Sequence, residues 1–199
     1  MLAFDCSNYT GEISFEDAHF AYNAGYRRAI VQIIDPPPGY PKSVWRQQIP
    51  MLLTVGFEVE AYVYLYLRDN PVARVQWVVD QMGWLRNKVQ RLWLDVEDEG
   101  DNDSTISLSD RQSRLWECLE LVKSRGFRTG IYTAGWWWDR YMPGVEWPRY
   151  YAPLWAAHYD GGQHLGIQPF GGWNNPEMKQ FAGDSSIGNI SAVDLNYYT

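Results

Sequence analysis

The sequence predicts an α/β fold: an irregular, TIM-like β/α barrel of five strand–helix units followed by three strands with little helix. Three observations carry that expectation. Short β-rich runs alternate with amphipathic stretches from the start of the chain through RTGIYT. Beyond that point the helical periodicity fades, and three more β-rich runs follow with Gly-, Pro- and Asn-rich connections. The length of 199 residues suits one domain able to bury a substantial core, so residues 1–199 are expected to form a single domain.

The elements follow in order. LAFDCS reads as a first strand. Ser14 opens a helix, with Asp17 three residues on as a capping box and Gly25 near its end. RAIVQIID is an apolar run of strand length. The stretch from Ser43 to Gly56 has helical character, and Pro50 within it predicts a kink or a late start. EAYVYLYL is the third strand. Asn70 and Pro71 form a cap and first-turn pair, with Val72, Val75, Val79 and Met82 at helical spacing behind them. RLWLDVE is the fourth strand. Ser109 is expected to start the next helix, with Leu115, Leu119 and Val122 on one face and Gly126 past its end. RTGIYT is the fifth strand and GWWWDRY a turn or two of helix. APLWAAHY, KQFAG and AVDLNYY complete the set. The segment DEGDNDSTISLS reads as a long loop at the barrel mouth, with Asp98, Glu99, Asp101 and Asp103 forming a solvated acidic stretch.

Composition narrows the function. The formal net charge is −7 with no run of Lys or Arg, which argues against nucleic acid and anionic membranes as partners. No apolar stretch is long enough to span a bilayer, and the first residues lack a signal-peptide layout. Cys6 and Cys118 lie far apart and are expected to be unpaired, mostly buried thiols. No Cys/His cluster has metal-ligand spacing, so neither metal nor cofactor is expected. The 11 Trp and 14 Tyr exceed what a core of this size needs; rings with a polar tip suit grooves for flat, amphipathic ligands such as sugars.

Strand parity then locates the chemistry. In RLWLDVE, Leu94 and Val96 suit the layer beneath the helices, which turns Trp93, Asp95 and Glu97 into the barrel. Both acids fall near the C-terminal end of the strand, where barrel active sites gather. Asp5 in the first strand and Asp194 with Asn196 in the last share the corresponding face. First and last strands neighbour each other in a closed barrel, so Asp5 and Asp194 are expected side by side, across the mouth from Asp95 and Glu97. Converging carboxylates without a histidine cluster suit acid-assisted glycoside hydrolysis: one protonated acid for the leaving oxygen, the others to stabilise charge on the sugar. Like charges so close together raise at least one pKa and keep a proton available.

The stretches FDCSNYTG, LWLDVE, GIYTAGWWW, PLWAAHYD, KQFAGD and VDLNYY, in that order over nearly the whole chain, resemble glycoside hydrolase family 25, the muramidases that include several phage endolysins. The resemblance implies a barrel of five strand–helix units plus three strands, acting on peptidoglycan glycan strands as a monomer. It implies cleavage of the β-1,4 bond between N-acetylmuramic acid and N-acetylglucosamine. Glu97 corresponds to the catalytic acid, and Asp95 to the acid assisting the substrate's acetamido group. Asp5 and Asp194 correspond to the two acids that orient and tune that pair. Tyr62, Tyr64, Tyr132, Trp136, Trp155, Tyr159 and Asn196 fall where the family has substrate contacts, and Trp137 and Trp138 follow Trp136 toward the mouth. Two segments depart from the pattern. The second strand runs into IIDPPPGY, where Asp35 is placed to take over a groove acid, and EGDNDSTIS is idiosyncratic. No cell-wall-binding repeat follows Thr199, so a bare catalytic domain acting at cell walls, secreted or phage-delivered, is expected. The alternatives are a barrel that holds glycan without cutting it and a glycosidase for another N-acetylglucosamine polymer. Arg91 and Trp93 stand where a chitinase-type site would carry further acids.

Overall fold

The computed structural model describes residues 1–33, 43–97 and 106–199. Among them, eight strands close into a barrel in chain order: β1 (Leu2–Cys6), β2 (Tyr26–Gln32), β3 (Glu58–Tyr64), β4 (Val89–Asp95), β5 (Arg128–Ala134), β6 (Leu154–Ala157), β7 (Met178–Ile187) and β8 (Ile190–Tyr198). The helices α1 (Phe15–Asn23), α2 (Trp45–Val55), α3 (Pro71–Gln81), α4 (Leu108–Ser124) and α5 (Gly135–Tyr141) follow β1 to β5 in turn. The outer ring of helices is therefore incomplete beside β6 to β8.

The strands from β1 to β7 run parallel to one another, but β8 is antiparallel to both β7 and β1. The connection is the cause of the reversal. Only Gly188 and Asn189 separate β7 from β8, far too few residues for a crossover, so the chain must return as a hairpin. Gly188 takes the left-handed conformation that the tight turn needs (φ +60°).

Helix starts follow their capping chemistry. The Ser14 hydroxyl accepts the Asp17 N–H at 3.1 Å, and Asn70 Oδ1 accepts the Ala73 N–H at 3.0 Å. The helix expected from Ser109 starts earlier, because Ser107 is the cap: its hydroxyl accepts the Asp110 N–H at 3.1 Å. Pro50 sits inside α2 without displacing its start at Trp45. Strand ends shift as well. β3 stops at Tyr64, β6 is confined to Leu154–Ala157, and β4 stops at Asp95, leaving Glu97 two residues beyond.

Two packed layers result. Inside the barrel, Ile30, Tyr62, Trp93, Tyr132, Trp155 and Met178 form one cluster. Beneath it lies a charged plug: Glu60 accepts from the Trp93 indole N–H and faces Arg28 at 3.5 Å, while Arg91 pairs with Glu177 at 2.6 Å. Burial pushes the Glu60 carboxyl up despite these cations. Between barrel and helices, Leu94 and Val96 join the outer core, the face that parity assigned them, and Leu92 lies there with them. Trp137 and Trp138 join it too, and Trp138 donates to the Val145 carbonyl at 3.0 Å. They are core rings, which corrects their expected place at the mouth. Both cysteines are buried and unpaired.

Candidate active site

The antiparallel pairing of β1 with β8 sets Asp5 directly opposite Asp194. Gln180, from β7, bridges them. Its amide nitrogen donates to Asp5 Oδ2 at 2.8 Å and to Asp194 Oδ2 at 3.2 Å. Its carbonyl oxygen accepts from the hydroxyls of Tyr132 and Tyr159, both at 2.7 Å. Asn196 repeats the arrangement one step deeper: Nδ2 donates to Asp5 Oδ2 at 2.8 Å, and Oδ1 accepts the Trp155 indole N–H at 2.7 Å. Each amide is thus oriented by a ring donor on one side and presents its own donor to Asp5 on the other. The Asp184 N–H donates to Asp194 Oδ1 at 2.9 Å, from a backbone held in the left-handed region (φ 48°). For a residue other than glycine, that conformation is strained.

The other half of the mouth comes from β4. Asp95 ends the strand and is buried, flanked in register by Tyr64 of β3 and Tyr132 of β5. The chain beyond is tied to β5, with the Val96 N–H donating to the Tyr132 carbonyl at 2.9 Å and the Thr133 hydroxyl to the Val96 carbonyl at 2.6 Å. Glu97, the next residue, is half-buried at the rim, and the Tyr64 hydroxyl reaches its carbonyl at 3.4 Å. The two halves feel each other. Burial first, then the charge of Asp194, pushes the Asp5 carboxyl well up, the amide hydrogen bonds oppose the rise, and Glu97 adds to it. Asp194 is also raised, chiefly by burial. Burial raises Tyr62 and Tyr132, with the charges of Asp5 and Asp95 adding at Tyr62 and those of Glu97 and Asp95 at Tyr132. A cleft of about 210 Å³ opens over Asp5, Asp194, Tyr62, Ser7, Tyr9 and Asp184. Among the described residues, no group of three His, Cys, Asp or Glu side chains could hold a metal ion. Carboxylates are what this mouth offers: proton donors, proton acceptors and stabilisers of positive charge.

The aromatic residues sort by depth. Tyr62 and Tyr132 are largely buried and form the floor beneath the acids. Trp155 is only 1% exposed, wedged against Tyr62, Trp93 and Tyr132. That corrects its expected place as a sugar-contacting ring: its indole supports Asn196 from below. Tyr159 is 63% exposed and overhangs the acids from the segment after β6. Trp136 is 64% exposed in the first turn of α5, beside a second cleft of about 240 Å³ with Asp139, His158 and Phe170. Tyr64 is half-buried beside Tyr66, with ring centroids 4.7 Å apart. Asp35 lies outside the described residues, as do Asp98, Glu99, Asp101 and Asp103. Gln180 and Asp184 were missed in the sequence. Parity on MKQF would have turned Gln180 inward with Met178, but nothing local marks a glutamine as a bridge between strands distant in sequence.

Comparison with known proteins gives the family and the fold. A family model described as lysozyme-like protein 1 matches residues 2–181. A relative described as probable GH family 25 lysozyme 5, from Dictyostelium discoideum, is 28% identical over 201 residues, covering 99% of this chain and 90% of that protein. The chain belongs to the glycoside hydrolase family 25 lysozymes. The bacterial lysozyme from Streptomyces coelicolor superposes with a TM-score of 0.85 at 18% identity, over 100% of this chain and 92% of that one. The modular Cpl-1 endolysin superposes with a TM-score of 0.62 at 16% identity, over 100% of this chain and 54% of that one. This family 25 lysozyme thus shares the barrel of those structures, and like its family it is a glycoside hydrolase.

Proposed function

We propose that this glycoside hydrolase cleaves the β-1,4 bond between N-acetylmuramic acid and N-acetylglucosamine in peptidoglycan, with Glu97 as general acid and base. The observation that carries the reading is the convergence of Asp5, Asp194, Asp95 and Glu97 on one mouth, with Gln180 tying the first two together. In support, the endolysin of similar fold was solved in complex with a peptidoglycan analogue.

In the proposed reaction Glu97 protonates the glycosidic oxygen as the C1–O bond breaks. The carbonyl oxygen of the substrate's own acetamido group closes on C1, and Asp95 holds the acetamido N–H and offsets the developing positive charge. Glu97, now a carboxylate, takes a proton from water, which attacks C1, opens the ring intermediate and leaves the anomeric configuration retained. Asp5 and Asp194 keep the mouth anionic and orient the pair. Tyr62, Tyr132, Tyr64, Trp136 and Tyr159 shape the binding groove. In this reading residues 1–199 form one catalytic domain that acts as a monomer on cell walls outside the producing cell. No helix among the described residues is long and apolar enough to cross a membrane.

Digestion of purified peptidoglycan, with mass spectrometry of the new reducing ends, tests the bond. Muramic acid ends are expected; glucosamine ends, or no release, overturn the reading. Glu97→Gln is expected to lower kcat on the order of 10³-fold with the fold intact, the loss typical of a missing general acid.

A further inference from the structure

Lys179 stands on β7 next to Gln180, on the opposite face of the strand, and its side chain is fully buried. Its ammonium donates to both oxygens of Asp160, at 2.8 and 3.0 Å, and lies 3.3 Å from His164 Nδ1. Asp160 belongs to the segment after β6. That segment is held on either side of Tyr159: the His158 N–H donates to the Gln180 carbonyl at 3.0 Å, and the Gly161 N–H to the Phe181 carbonyl at 3.1 Å. Asp160 also accepts the Gly162 N–H at 2.9 Å, and the imidazoles of His158 and His164 approach its Oδ2 at 3.5 Å.

A buried ammonium is costly, and an apolar side chain of similar volume would serve packing as well or better. Stability alone therefore does not account for a lysine here. Position does. One face of β7 carries Gln180 to Asp5 and Asp194, while the other carries Lys179 to Asp160. Tyr159, between those anchors, spans from the clasped segment back to Gln180 at 2.7 Å. We infer that the Lys179–Asp160 pair is a positioning device: it fixes the β6–β7 segment so that the Tyr159 hydroxyl stays on Gln180, over the two paired acids. Lys179 and Asp160 touch no substrate in this arrangement; they act through Tyr159. The inference rests on the proposed role of the mouth as the hydrolytic site.

Two readouts test it, one independent of activity. Burial, with Asp194, Glu97 and Asp5 nearby, pushes the Tyr159 phenol up to about 12. With tyrosine labelled at the ζ carbon and the Tyr159 resonance assigned through Tyr159→Phe, Lys179→Met is expected to release that phenol toward the ordinary tyrosine range near 10. Asp160→Ala removes both acceptor oxygens and so cuts the same link from an exposed segment, and is used if Lys179→Met fails to fold. On peptidoglycan, each variant is expected to lose on the order of tenfold in kcat/KM, and that loss is expected to vanish in a Tyr159→Phe background. An unchanged Tyr159 titration overturns the proposal, as does a loss of activity that simply adds to that of Tyr159→Phe. If the parent protein releases no muramic ends, the hydrolytic reading fails while the tyrosine titration still decides whether the clasp holds Tyr159.

Discussion

Gln180 shows how much one side chain can organise. It donates to two carboxylates from different strands and accepts from two tyrosines, so replacing it takes the acceptor from the buried Tyr132 hydroxyl and one donor from each carboxylate. Gln180→Met is expected to lower kcat by about 10- to 100-fold. Because its hydrogen bonds hold the Asp5 carboxyl down against burial, losing them raises Asp5 further. The acid limb of the pH–activity profile is therefore expected to move to higher pH, and steady-state kinetics across pH checks both effects. Gly130 is a second case. A Cβ there would sit 2.2 Å from the Trp93 ring, with no room on the inner face of the barrel. Gly130→Ala is expected to cost about 1–3 kcal/mol through overpacking, measurable by denaturant unfolding.

At the scale of elements, α4 separates two serines that look alike in the sequence. Ser107 caps the helix and Ser109 lies within its first turn. Ser107→Ala is expected to destabilise by about 1 kcal/mol, whereas Ser109→Ala stays within about 0.5 kcal/mol of the parent. The β7–β8 hairpin matters more for function. By sending β8 back antiparallel, it brings Asp194 opposite Asp5 and Asn196 opposite Gln180. A parallel eighth strand would need a long crossover, and those pairs would not face each other in this register.

The whole molecule couples the mouth to stability through pH. Asp5 and Asp194 are raised above the usual aspartate value of 3.8 in the folded state. Between 3.8 and their folded pKa values, the native protein keeps protons that the unfolded chain has lost, so stability falls as pH rises through that window. Asp160 works the other way. Held at about 2 chiefly by Lys179, it adds stability that is present above about pH 4 and is lost as pH falls toward 2. Denaturant midpoints across pH are expected to show Asp194→Asn flattening the decline above pH 4, and Asp160→Asn flattening the drop below it. The candidate site thus sits on paired acids, Asp5 and Asp194, whose ionisation the fold resists.

The sequence by itself determined the barrel, its five-plus-three organisation and the convergence of Asp5, Asp95, Glu97 and Asp194. Those depend on alternation of side chains along single strands, such as Leu94 and Val96 outward against Trp93 and Asp95 inward, and on the closure of first strand against last. Capping at Ser14 and Asn70 was legible for the same reason, since donor and acceptor lie three residues apart. Only the tertiary structure decided the rest. Trp155 and Trp136 both read as mouth aromatics, yet one is sealed beneath Asn196 and the other faces solvent, because burial depends on what the other strands place above each ring. Gln180, Asn196 and the Lys179–Asp160 clasp join residues from separate strands and segments, and no local pattern encodes which amide will meet which carboxylate. Periodicity is a property of one element, whereas a hydrogen-bonded network between elements exists only once the barrel has closed.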